Sequence, residues 1–257
     1  MPVLHSNIIG SRADHLVILH GFLGMGDNWK THAKNLAEKG YCVHLVDQRN
    51  HGRSFWSGAF DYDIMVEDLL NYLDHHALEE VILLGHSMGG KIAMGFALKN
   101  ADRVKKLIVA DIAPKYYAPH HQKILASLST LNFEQVDSRK AADEHLEQYV
   151  ADMGTRQFLL KNLYWVTDGQ LGLRPNIAVL KNAAEAIGAA ITSENQFSKP
   201  TLFLSGANSN YINSTSDNPA ISHYFPRVQF TEIKNAGHWL HAEQPQYFFK
   251  TLMQWLA

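Results

Sequence analysis

Gly85-His86-Ser87-Met88-Gly89-Gly90 places a hydroxyl nucleophile among small residues. The apolar run Val81-Ile82-Leu83-Leu84 precedes it, and the helix-forming run Lys91 to Lys99 follows. Gly-x-Ser-x-Gly between a strand and a helix is the context of a nucleophile elbow, a tight turn that lifts the serine oxygen clear of the sheet. Such a turn strains the backbone at Ser87 and leaves no room for side chains two residues away. Gly85 and Gly89 meet that demand. The chemistry this points to is acyl transfer through Ser87.

A serine hydroxyl needs a base within hydrogen-bond reach, and the base needs an orienting acceptor. In open α/β sheets these groups come from loops at the carboxyl ends of strands. His238 is the candidate base, because Asn235-Ala236-Gly237-His238-Trp239 follows the last strand-like run and Gly237 permits a sharp turn. His241 is its rival. The loop after Thr201 to Leu204, where elbow hydrolases commonly carry their acid, reads Ser205-Gly206-Ala207-Asn208-Ser209-Asn210-Tyr211 and holds no carboxylate. Asp217 is the first acid beyond it, too far along. Asp111, directly after Lys106 to Ala110 and one strand beyond the elbow strand, is the candidate acid. Its competing role is to cap the turn before Pro114. Asn208, Ser209 or Asn210 could hydrogen-bond the imidazole or Asp111.

Two preorganised backbone N–H groups must receive the developing oxyanion. Met88, directly after the nucleophile, supplies one; Phe22, in His20-Gly21-Phe22-Leu23-Gly24, supplies the other. His20 is expected to brace that loop. Asp47-Gln48-Arg49-Asn50-His51-Gly52-Arg53-Ser54 is read as a structural network holding it, because no glycine-rich loop leads from there into a helix to bind phosphate.

The elements that must position these loops alternate. Leu16 to Leu19, Tyr41 to Val46, Val81 to Leu84 and Lys106 to Ala110 read as short strands, and Asn28 to Lys39, Tyr62 to His75 and Lys91 to Lys99 as helices. Alternation of this kind implies a mostly parallel sheet with helices on both faces. After Pro114 strand character disappears until Thr201, and Gln122 to Leu131, Arg139 to Tyr149, Thr155 to Asn162 and Ile177 to Ala190 read as helical. Thr201 to Leu204 and Val228 to Ile233 resume the sheet, and Pro245 to Leu256 closes it with a helix. The expectation is an α/β core over residues 1–114 and 199–257, with a helical insertion over 115–198 placed to cover the elbow.

The composition narrows the partners. Of 257 residues, 46% are hydrophobic and 19% charged, with a net charge of −2, which suits a soluble enzyme and gives no reason to expect nucleic acid or an anionic membrane as partner. No run approaches the roughly 18 apolar residues of a membrane span. Cys42 is the single cysteine, and Met1 to Gly10 shows no leader, so the expected location is cytoplasmic, or an organelle matrix if a targeting segment has been removed. Fifteen histidines include no His-Glu-x-x-His pair, so neither metal nor cofactor is expected.

These motifs resemble the α/β-hydrolase family, and within it the YbfF-type bacterial esterases. The resemblance rests on His20-Gly21-Phe22, Asp47 to Ser54, Gly85 to Gly90 and Gly237-His238-Trp239. It rests also on Asp111 in Ala110-Asp111-Ile112-Ala113-Pro114 and on the missing acid after Leu204. It implies that Asp111 is the triad acid, that Ser209 supports the site, that the insertion is a cap, and that the substrate is a small-molecule acyl ester or thioester. A thioesterase acting on acyl-CoA needs the same triad plus a path for an anionic leaving group, for which Lys123, Arg139, Lys161, Arg174 and Lys181 are candidates. Carbon–carbon hydrolysis of a diketone is a further option. A non-catalytic binding protein on this scaffold is the reading from another class, and an intact serine, histidine and oxyanion loop argue against it. Trp56, Trp165 and Trp239 are the candidate substrate-binding aromatics, with Tyr116, Tyr117, Phe158, Leu163 and Tyr164 as further apolar candidates.

Overall fold

The computed structural model describes residues 2–257. Seven strands form one sheet in the order β1-β3-β2-β4-β5-β8-β9. They are β1 (Ser6–Ile9), β2 (Asp14–Leu19), β3 (Tyr41–Val46), β4 (Val81–His86), β5 (Val104–Ala110), β8 (Thr201–Gly206) and β9 (Val228–Ile233). A separate hairpin pairs β6 (Leu163–Thr167) with β7 (Gln170–Leu173). Only β1 runs antiparallel in the large sheet. It was not expected, being a short edge strand whose first two residues are polar.

Every residue of β4 is buried, as a central parallel strand covered on both faces requires. Side-chain alternation sends Leu19, Leu83, Leu107 and Val109 to one core, and Leu16, Ile18, Leu84 and Ile108 to the other. The first core is covered by α2 (Tyr62–His75) and α3 (Met88–Lys99). The second is covered by α1 (Lys30–Glu38) and by α11 (Pro245–Leu256), which presents Phe248, Leu252 and Leu256. The expected helix from Asn28 begins instead as a 3₁₀ turn, Gly26–Trp29, before α1.

Strand order reverses between β2 and β4: the chain leaves β2 for β3 on one side and returns to β4 on the other. Crevices at such reversals, outside the carboxyl ends of the strands, are where these sheets bind ligands. The loops after β2 and β4 therefore face each other there.

Residues 115–198 connect the adjacent strands β5 and β8. This segment carries α4 (Gln122–Ser129), α5 (Arg139–Glu147), α6 (Met153–Leu160), the β6–β7 hairpin, α7 (Ile177–Leu180) and α8 (Ala184–Gly188). Two expectations fail in it. It is not wholly helical: the aromatic and β-branched run Leu163 to Thr167 turns at Asp168-Gly169, with Gly169 at φ 76°, and pairs back as a hairpin. Nor is Ile177 to Ala190 one helix, because Asn182 and Ala183 close three-residue turns onto Val179 and Leu180 and break it. Beyond β8, α9 (Ser214–Tyr224), capped by the Asn213 side chain, was not foreseen; its internal Pro219 hides it. The chain closes through α10 (Leu240–Glu243) and α11.

Candidate active site

Ser87 stands between β4 and α3 with φ 52° and ψ −118°, the strained backbone that an elbow demands. A Cβ on Gly85 would lie 2.2 Å from the Gly89 carbonyl oxygen, and one on Gly89 would lie 2.2 Å from that of Leu19. Both glycines are thus required by packing.

The loop after β9 brings His238 back over Ser87. Glu243 fixes that loop by accepting the Gly237 N–H at 2.7 Å and the Trp239 N–H at 3.2 Å. His238 Nδ1 lies 2.7 Å from Asp111 Oδ2. A carboxylate can only accept, so Nδ1 carries the proton and Nε2 is left to accept from the Ser87 hydroxyl, 3.0 Å away. Asp111 follows β5, is fully buried, and has φ 52°. Its Oδ1 accepts the Gly206 N–H at 3.0 Å, and its Oδ2 also accepts the Ser209 hydroxyl at 2.5 Å. The loop after β8 thus contributes no acid but holds the one from β5.

Phe22 and Met88 flank Ser87 on the loops after β2 and β4. Met88 is the first residue of α3, so its N–H has no earlier helical carbonyl to bond. His20 is buried; its Nδ1–H donates to the Gly21 carbonyl at 2.8 Å and its Nε2 accepts the Gln48 N–H at 3.0 Å. Burial lowers its pKa to about 4, so it braces the loop as a neutral ring. Asp47 accepts the N–H groups of Gly26 and Arg53, His51 accepts that of Leu23, and Arg49 pairs with the buried Asp68 through two contacts of 2.5 and 2.7 Å. This cluster clamps the Phe22 loop from below.

The family described as "alpha/beta hydrolase fold" matches residues 14–245. The chain belongs to the α/β-hydrolase family. It is 38% identical over 249 residues to the sn-1-specific diacylglycerol lipase ABHD11 of Mus musculus, covering 94% of this chain and 80% of that protein. It is 31% identical over 242 residues to Esterase YbfF of Escherichia coli (strain K12), covering 94% and 92%. Among solved structures, a marine microorganism esterase superposes with a TM-score of 0.95 at 39% identity, covering 99% of this chain and 100% of that one.

In this α/β-hydrolase a cavity of about 470 Å³ opens beside Ser87 and His238, within the usual size range of small-molecule sites. Trp239 and Phe158 line it, their rings 5.6 Å apart. Trp56 and Trp165 do not. Trp56 is 59% exposed and donates its indole N–H to the Arg174 carbonyl, while Trp165 lies 53% exposed on β6. Hairpin geometry turns Trp165 outward, and Trp56 pins the insertion to the core. Of the basic candidates only Lys161 lines the cavity. Arg139 is spent on the Leu160 and Leu163 carbonyls, and Arg174 covers the Tyr164 ring. Asp217 pairs with Lys115 at 2.6 Å and is no rival to Asp111. His241 stacks flat on Trp29 at 3.9 Å.

Several site residues escaped the sequence reading. Tyr211 stacks on the His238 ring at 3.7 Å and 15°. His86 Nε2–H donates to the His238 carbonyl at 2.8 Å, and burial lowers its pKa to about 3. His121, also lowered to about 3 by burial, packs edge-on against Phe22. His86 lies inside the elbow motif itself, so its position was a signal; Tyr211 and His121 gave none.

No helix among the described residues is long and apolar enough to cross a membrane. Among them one group, His15, Cys42 and His44, brings metal-ligating atoms within 4.8 Å of one another. It sits within β2 and β3 rather than on the strand-end loops around Ser87, and His15 Nδ1 and His44 Nε2 already share a hydrogen bond of 3.0 Å.

Proposed function

We propose that this α/β-hydrolase is a carboxylic-ester hydrolase working through a Ser87–His238–Asp111 triad and a covalent acyl-enzyme. The unbroken relay from the Ser87 hydroxyl through His238 to a buried, doubly anchored Asp111 carries the reading. Relatives of high coverage named esterase and lipase support the ester-hydrolysing activity itself.

Ser87 Oγ attacks the acyl carbonyl carbon and gives its proton to His238 Nε2. The Phe22 and Met88 N–H groups receive the oxyanion. His238 returns the proton to the alcohol oxygen, the C–O bond breaks, and the alcohol departs. Water repeats the sequence with His238 as base, releasing the acid and restoring Ser87. Asp111 keeps the proton on Nδ1 and stabilises the imidazolium formed in each half. His20 and Ser209 act as positioning residues, the first for the oxyanion loop and the second for Asp111. Residues 115–198 serve as a cap over the cavity. The same steps cleave a thioester.

The test is turnover of p-nitrophenyl acetate by wild type and Ser87→Ala. A loss of about 10⁴-fold or more in kcat is expected. Near-normal turnover in a folded Ser87→Ala protein would end this reading.

A further inference from the structure

Ser87 borders two spaces of very different size. Beside the cavity of about 470 Å³ lies a chamber of about 20 Å³, room for a single water- or methyl-sized group. The chamber is walled by Tyr62, Met88, Ile112, Tyr117 and Ile187. His238 borders the large cavity and not the chamber; Met88 borders the chamber and not the cavity.

That division decides which end of an ester goes where, given the triad reading above. The leaving oxygen must take its proton from His238 Nε2, so the alcohol has to lie on the side that His238 borders. The carbonyl oxygen points to the Phe22 and Met88 N–H groups. The remaining substituent of the carbonyl carbon, the acyl group, is directed away from His238 and past Met88. We infer that the small chamber takes the acyl group and the large cavity the alcohol, so that the substrates are acetate-sized acyl esters of bulky, largely apolar alcohols.

The chamber is small by construction. Lys91, 1% exposed, donates through Nζ to the carbonyls of Lys115 at 2.8 Å, of Gly188 at 3.1 Å and of Ala189. Its ammonium also sits over the rings of Tyr117 and Tyr62, at 4.9 and 5.6 Å. Tyr62 donates its hydroxyl to the Ile187 carbonyl at 2.7 Å. Tyr117 donates to the Tyr211 carbonyl at 2.7 Å and accepts the Ala113 N–H at 2.9 Å. Widening the chamber would break several buried hydrogen bonds together, which is costly. The large cavity is bounded on its outer side by the side chains of Phe158, Gln157 and Lys161, from α6 and the turn after it.

The isomers octyl acetate and ethyl octanoate contain the same atoms and differ only in which side of the ester is long. We expect kcat/KM to favour octyl acetate by on the order of 10²-fold. Ile187→Ala, which enlarges the chamber, should raise the ratio of kcat/KM for ethyl butanoate over ethyl acetate by about tenfold. Equal rates on the isomers, or a preference for ethyl octanoate, overturn the assignment and leave the hydrolase reading standing. So does an unchanged ratio in Ile187→Ala. Absence of turnover on every ester overturns both.

Discussion

At Ser87 two differently built regions meet. The strand-end loops place Ser87, Asp111 and His238 by strained backbone and buried hydrogen bonds: both Ser87 and Asp111 sit at φ 52°, and each polar atom of the relay has a fixed partner. The 115–198 segment instead reaches the site through side chains on short helices and turns, and much of it is half-buried or exposed. Side chains on α6 can change the shape of the large cavity without touching the relay.

The largest effect is expected at Asp111. Asp111→Asn keeps the shape but lets the amide donate to His238, favouring the wrong tautomer; kcat should fall by about 10³- to 10⁴-fold. A loss under tenfold in steady-state assays would remove Asp111 from the account. Next come the elbow glycines. Gly89→Ala would set a Cβ 2.2 Å from the Leu19 carbonyl oxygen, whereas a Cβ on Gly58 meets nothing within 4 Å. Thermal unfolding should show a loss of about 4 kcal/mol or more, or no folded protein, for Gly89→Ala, and a change below about 1 kcal/mol for Gly58→Ala. Equal effects would mean that the elbow is not tightly packed.

Acid should loosen the same loops. Burial holds His20 at about 4 and His51 and His86 at about 3, against an ordinary value of 6.5. The unfolded chain therefore takes up protons first as pH falls. The stability these rings contribute is present above about pH 6.5 and is lost progressively below it, down to about 4 for His20 and about 3 for His51 and His86, at up to ~1.4 kcal/mol per pH unit for each ring. Circular dichroism melts should show Tm falling as pH drops from about 7 to about 5; a flat profile contradicts the neutral-ring assignment. The smallest effect belongs to the insertion's outer face: Trp165→Ala should leave kcat/KM within about twofold and stability within about 0.5 kcal/mol. A larger loss of activity would restore Trp165 as a substrate contact.

What could be read in the sequence follows the same division. An elbow needs glycine at two fixed offsets from its serine, and a strand-end loop needs glycine to turn, so Ser87 and His238 carry local signatures. Asp111 was legible by elimination, since the loop after β8 lacks a carboxylate and a neighbouring strand end supplies one. The insertion's walls have no such local rule. Whether Phe158 or Trp165 faces Ser87 depends on where a hairpin and short helices dock, which is long-range packing. Tyr211 is nearer to legible: it lies in the same loop as Ser209, but nothing in its neighbours marks a ring that will stack on His238. The β6–β7 hairpin was readable from Asp168-Gly169 and was overshadowed by the helical runs on either side.

An acyl-enzyme on Ser87 can be seen directly in the mass of the Ser87 peptide after rapid quenching of the enzyme with p-nitrophenyl acetate. An acetyl adduct on Ser87 is expected, forming in a burst with p-nitrophenol release and absent from Ser87→Ala. Full turnover with no adduct on Ser87, or an adduct on another residue that persists in Ser87→Ala, would contradict it.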